Sequence, residues 1–233
     1  MGALVGIGFD LDHTLAIDNR LERVAMLRLL DLLFDRGARP LGTLADEIDA
    51  IDGLLAQQRS GAFTIEEAVR RFVAAHGLEP SHTDVAAFTR TSVEMVDEFV
   101  VPLPGARRTV AELRERGIAV AVLSNGWNPL QLRKAEQAGF AGPVLVSADI
   151  GERKPSQAAF AYLLDALGTH PQHTWYVGDD PHGDVGGALE AGMHAVWINW
   201  ERKTYPPELR PPGHTITALE QLLELLPSSK GRL

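Results

Sequence analysis

Beyond Pro102 the chain alternates short runs that are apolar throughout with amphipathic stretches, and this alternation limits the fold more than any other feature. Ile118 to Leu123, Val144 to Val146, Thr174 to Val177 and Ala195 to Ile198 read as strands, as does an earlier run carrying Leu4, Val5, Ile7 and Phe9. A strand with one polar face can leave that face in water. One that is apolar on both faces has to be covered twice, and helices connecting parallel strands do this. Such helices are predicted over Ala106 to Arg116, Pro129 to Ala138, Pro155 to Leu167 and Val185 to Ala191, three of them stopped by Gly117, Gly139 and Gly192. The expected fold is therefore α/β, a doubly wound parallel sheet of the Rossmann-like kind.

Between about Asp18 and Val101 the pattern is helical only. Arg20 to Phe34, Thr43 to Gln58, a stretch opened by Thr64-Ile65-Glu66-Glu67 with capping-box spacing, and one opened by Ser81 and running towards Val101 predict four helices. The domain reading is a core of residues 1–17 and 102–233 split by a helical insertion, 18–101. Tyr205 to Gly213 is a proline-rich loop, Ala218 to Leu226 a last helix, and Ser228 to Leu233 a tail expected to fray.

With 233 residues and 45% hydrophobic content the chain can bury a real core. A formal charge of −9 argues against a nucleic-acid surface, although a local cation can reverse the potential in one site. The absence of cysteine excludes disulfides, thiolate metal sites and cysteine nucleophiles. The first apolar run lacks a basic lead and meets Asp10 too early for a signal peptide, and no run approaches the roughly 20 residues a bilayer crossing needs. A cytoplasmic location fits.

Ligands of an open parallel sheet bind beyond the carboxyl ends of its strands. Asp10, Asp12 and Thr14 follow the first strand; Ser124, Asn125 and Gly126 the second; Asp179, Asp180 and Asp184 the one beginning at Thr174; Lys154 precedes a helix opened by Pro155. Carboxylates as close as Asp10 and Asp12 need a cation, a shared proton or solvent to coexist. Taken singly, the two also read as a strand end in a turn, Ser124 as the start of a turn through Asn125-Gly126, Lys154 as a solvated lysine, and Asp184 as the cap of a helix beginning at Val185.

Taken together, the segments resemble the haloacid dehalogenase-like hydrolase superfamily. Asp10-Leu11-Asp12-His13-Thr14 is similar to its first motif, Ser124 to its second, Lys154-Pro155 to its third and Gly178-Asp179-Asp180 through Asp184 to its fourth, in order along nearly the whole chain. The insertion corresponds to that family's α-helical cap. His13 departs from the pattern, because the family commonly has a small residue there, often glycine.

The resemblance implies a phosphatase-type site. Asp10 would be the nucleophile that forms an aspartyl-phosphate, and Asp12 the general acid and then base, worth about 10²–10⁴-fold. Mg²⁺ would be held by Asp10, the backbone carbonyl of Asp12 and Asp179, with Asp184 orienting a ligand and Asp180 able to do either. Lys154, Ser124, Thr14 and the Asn125 backbone would bind the phosphoryl oxygens. An acid at Asp12 favours phosphate chemistry over dehalogenation, since halide leaves without a proton, and the insertion has no lysine for phosphonate cleavage.

The function expected is hydrolysis of a small phosphorylated metabolite by a monomer or homodimer, with neither nucleic acid nor membrane as partner. Two alternatives stay open: a phosphosugar mutase of the β-phosphoglucomutase type, which the motifs do not separate, and a receiver-like phosphoacceptor module, against which Asp12 and the cap argue. Trp127 either borders the substrate or packs beneath the cap. Arg59 and Phe63 flank a Gly61 turn that either reaches the site or merely joins helices, and His182 reads as solvated.

Overall fold

The computed structural model describes residues 5–226, so Leu4 and the tail Ser228 to Leu233 lie outside the described residues. From β1 (Gly6–Phe9) and β2 (Ala16–Asp18) the chain enters α1 (Leu21–Phe34), α2 (Leu44–Arg59), α3 (Ile65–Ala75), α4 (His82–Glu94) and α5 (Val96–Phe99), and leaves by β3 (Val100–Pro102). Then come α6 (Ala106–Glu115), β4 (Ala119–Ser124), α7 (Leu130–Gln137), β5 (Val144–Val146), α8 (Ser147–Ile150), α9 (Gln157–Leu167) and β6 (Thr174–Gly178). A π-helical turn, Pro181–Gly186, runs into α10 (Gly187–Glu190), followed by β7 (His194–Ile198), β8 (His214–Ile216) and α11 (Leu222–Leu225). The chain divides into two compact units, Met1–Ile17 with Val101–Leu233, and Asp18–Val100.

In the first unit six strands lie in the order β5-β4-β1-β6-β7-β8, every pair parallel. This is the doubly wound sheet the apolar runs predict. The chain moves outward from β1 through β4 to β5, then returns to the other side of β1 at β6 and moves outward again. The loops leaving β1, β4 and β6 therefore diverge at one edge, the place where such sheets bind ligands. Ile7, Phe9, Val122, Val177 and Val196 are fully buried in the strands. On one face α9 sets Phe160 edge-on to Tyr176, with centroids 5.0 Å apart at 78°, a pair worth about 0.5–1.5 kcal/mol beyond its buried area.

The second unit is helical, with Leu29, Leu33, Ile51, Phe72 and Phe88 in its interior. Its buried His76 is held between the Phe72 carbonyl, 2.7 Å, and Glu47, 2.9 Å. The caps differ from the sequence reading. Thr64 accepts a bond from the Glu67 amide, but the Glu67 carboxylate does not return it and pairs with Arg71 at 2.8 Å. Reciprocal boxes form at Ser81 with Asp84, where the sequence carries a looser start signal, and at Thr43 with Asp46, which the sequence did not mark. The fourth predicted helix breaks at Met95 into α4 and α5.

Strand β8 escapes the sequence pattern because only Ile216 of its three residues is buried. The last helix starts as a 3₁₀ turn, Leu219–Gln221, with the Gln221 carboxamide oxygen accepting from the Thr217 and Ala218 amides. Among the described residues no helix is long and apolar enough to cross a membrane.

Leu163 is fully buried beneath the sheet, whereas Leu44 is 66% exposed. Leu163→Ala is expected to cost about 2–5 kcal/mol in urea unfolding, against no more than about 0.5 kcal/mol for Leu44→Ala.

Candidate active site

Asp10 is the first residue past β1, and its amide donates to the Val177 carbonyl at 2.9 Å, carrying the sheet's pairing one step beyond the strand. Asp10 as a whole is only 7% exposed. Lys154, equally buried, donates to Asp10 Oδ1 at 2.5 Å, Asp184 Oδ1 at 2.7 Å and the Tyr176 hydroxyl at 3.0 Å. That hydroxyl in turn donates a hydrogen bond to the Leu123 carbonyl, 2.9 Å away. The loops bearing these groups are tied together: the Asn125 carboxamide donates to the Lys154 carbonyl and accepts from its amide, both at 2.9 Å.

The β6 end is fitted as closely. Asp184 Oδ2 accepts from the Asp180 amide at 3.0 Å, and the Trp197 indole donates to the Asp179 carbonyl at 2.8 Å. A Cβ on Gly178 would lie 2.3 Å from the Asp184 carboxyl carbon, so glycine is what lets Asp184 lie across the strand end towards Lys154.

These contacts set the charges. Burial alone would neutralise Lys154, but Asp10 and Asp184 overcome it and hold the ammonium above the ordinary lysine range. Asp10 is pushed up to about 7, first by burial and then by Asp184 and Asp12, with Lys154 opposing. Asp179 is pushed up to about 8 by burial, Asp10 and Asp184. Carboxylate oxygens of Asp10, Asp179 and Asp184 lie within 4.8 Å of one another, an all-oxygen set that could hold a metal ion.

Asp12 looks the other way. Lys134 donates to its Oδ1 at 2.9 Å and Gln131 to its Oδ2 at 2.8 Å, while the same Gln131 nitrogen lies 2.6 Å from Ser124 Oγ. Burial would raise Asp12, but the Lys134 charge and the bonds from Gln131 and Lys134 outweigh it and keep its carboxyl below the usual range. Neither Gln131 nor Lys134 was singled out from the sequence. Their signal is positional: they stand one turn apart on the helix that follows Ser124.

The other expected residues divide. Thr14 is fully buried with its hydroxyl unpartnered. Asp180 is exposed and caps its own turn, accepting from the His182 amide at 3.0 Å, so the capping role left open for Asp184 falls to Asp180. His13 has φ +62°, the left-handed region glycine enters freely, and Trp200 supports it by donating to its carbonyl at 2.9 Å and lying parallel to its ring at 6.4 Å. Trp127 is buried. In the helical unit Phe63 carries the Arg71 guanidinium 4.3 Å from its ring centroid.

A family model described as haloacid dehalogenase-like hydrolase matches residues 6–192. A phosphoserine phosphatase of Thermus thermophilus is 40% identical over 111 residues, 46% of this chain and 45% of that protein, so the chain spans about half of that relative's length. A glyceraldehyde 3-phosphate phosphatase of Pyrococcus furiosus is 26% identical over 97% of this chain and 94% of its own. Among solved structures, a 2-haloacid dehalogenase from Pseudomonas syringae superposes with a TM-score of 0.70 at 26% identity, covering 95% of this chain and 97% of the other.

The raised carboxyls make stability depend on pH. Between the ordinary value of 3.8 and about 7 for Asp10 or about 8 for Asp179, the folded chain binds more protons than the unfolded one, so stability falls as pH rises. In cation-free buffer the melting temperature is expected to drop from pH 5.5 to pH 8.5. A divalent cation should raise it more at pH 8 than at pH 6, since cation and protons compete. Calorimetry with Asp179→Asn alongside, in which both effects shrink, checks this.

Proposed function

The chain belongs to the haloacid dehalogenase-like hydrolase family, and we propose that it hydrolyses a phosphomonoester of a small metabolite through an aspartyl-phosphate on Asp10, with Mg²⁺ as cofactor and the helical unit as its cap. One observation carries this reading: two carboxylates on one loop have opposite surroundings, Asp10 facing Lys154 and the acidic cluster, Asp12 facing Lys134 and Gln131. Carboxyls whose environments drive their proton affinities apart are suited to different catalytic duties.

The metal assignment is supported by the donor chemistry. Oxygen ligands in a buried cluster suit a hard cation, and Asp10, the Asp12 carbonyl and Asp179 would hold it, with Asp184 next to them. When bound, Mg²⁺ supplies the positive charge that lets a carboxylate approach a phosphate dianion.

Asp10 attacks phosphorus, a P–O bond to the carboxylate forms, and the ester oxygen leaves with a proton from Asp12. The negative charge of the arriving phosphate is what raises the proton affinity of Asp12 enough to make it an acid. Asp12 then takes a proton from the water that attacks phosphorus, and Asp10 is regenerated. Lys154, already aimed at Asp10, and the hydroxyls of Ser124 and Thr14 would steady the equatorial oxygens as charge shifts between them. The unpartnered Thr14 hydroxyl suits that task. Relatives named for phosphoserine and glyceraldehyde 3-phosphate hydrolysis support a small phosphorylated metabolite as substrate. Against haloacid chemistry stands Asp12, an acid that a departing halide does not use.

Phosphate release from an aryl phosphate is expected to require Mg²⁺ and to fall by more than about 10³-fold in Asp10→Asn, as for loss of a nucleophile. Equal, metal-independent release by both proteins would contradict the assignment.

A further inference from the structure

Helix α7 spends two buried side chains on the site. Gln131 and Lys134, each 2% exposed, stand one turn apart and both end on the Asp12 carboxylate, one on each oxygen. A lysine carried this far from water by a short surface helix is unfavourable unless its charge is used, and here it meets a carboxylate that stays about one-third exposed. Gln131 reaches further, its amide nitrogen shared between Asp12 and Ser124 Oγ. It is also wedged at its root. A Cβ on Gly126 would come within 2.5 Å of its nitrogen and 2.6 Å of its Cγ, so the carboxamide lies flat over the turn that follows Ser124.

We propose that Lys134 and Gln131 are positioning residues: α7 grips Asp12 by both oxygens, fixes the direction in which it gives and takes protons, and through Gln131 sets it in register with Ser124. The idea rests on the phosphatase reading for its kinetics but not for its geometry. The Asp12 side chain is about one-third exposed, and a carboxylate free to turn would present its proton off the line of the departing oxygen. Misplacement by about 1 Å is enough to cost about 10²-fold in such a transfer. Gln131 has a second consequence, since the hydroxyl it touches is one that would contact the phosphoryl group. Lys134 ends on the other Asp12 oxygen.

The two roles separate in kinetics. An alkyl phosphate, with a poor leaving group, needs the proton from Asp12 far more than p-nitrophenyl phosphate does. In Lys134→Met, kcat on the alkyl ester should fall at least about tenfold further than on the aryl ester. KM and inhibition by inorganic phosphate should stay within about threefold, and Lys134→Arg should restore most of the difference. Gln131→Ala and Gly126→Ala should show the same leaving-group pattern and also weaken phosphate inhibition, because Ser124 is disturbed.

Equal losses on both esters, with melting temperatures near that of wild type, would reduce Lys134 to a structural lysine and overturn the proposal. A wild type inert towards both esters would instead contradict the phosphatase reading. A crystal structure of Lys134→Met, or of Gly126→Ala if the first fails to fold, decides the geometry in either case. The Asp12 carboxylate moving away from its present contacts is the expected result, and an unmoved carboxylate overturns the brace.

Discussion

Everything at this sheet edge depends on one buried ammonium. Lys154 lies within hydrogen-bond distance of Asp10, Asp184 and the Tyr176 hydroxyl, and without it two carboxylates would share a nearly dry space with nothing to offset their repulsion. Burial still wins in part, leaving Asp10 and Asp179 as weak acids near neutrality. That residual frustration is the physical reason the cluster suits a divalent cation: the cation supplies the charge that one lysine does not. A second ammonium, Lys134, keeps Asp12 out of this competition. Two lysines thus sort the acids of one loop into separate environments.

The backbone earns this arrangement through strand order. β1 lies between β4 and β6, so the residues that follow these strands reach one edge from distant parts of the chain. Close fitting then removes the freedom that is left. Asn125 clamps the backbone of Lys154, Trp197 the carbonyl of Asp179, and the bare Gly178 admits Asp184. The first ties two loops together, the second a strand to a loop, and the third one end of a loop to the other, which is how loops become rigid enough to hold charges at fixed spacing.

Much of this was legible in the sequence, and for identifiable reasons. Apolar runs without alternation implied a parallel sheet, Asp10, Ser124 and Asp179 stand where such strands would release them, and Lys154 stands just before the helix opened by Pro155. Other features carry no such mark. Tyr176 looks like any aromatic in a buried strand, and its hydroxyl acquires a meaning only when Lys154 arrives beside it. Gln131 and Lys134 look like the polar positions of an ordinary amphipathic helix, since sequence spacing says that they share a face but not what that face meets. The capping duty left open for Asp184 falls to Asp180 because the turn that follows is π-helical and begins at Pro181, directly after it. His13, odd by resemblance, becomes intelligible through a positive φ and the indole of Trp200, both invisible in the string of letters.

The division of labour between Asp10 and Asp12 is open to a single direct measurement. Asp12→Asn keeps the nucleophile and removes the base, so a rapid acid quench with a ³²P-labelled aryl phosphate should trap label on the peptide carrying Asp10, and the label should persist longer than in wild type. Turnover that leaves Asp10 unlabelled in both proteins, or label on another residue, would contradict it.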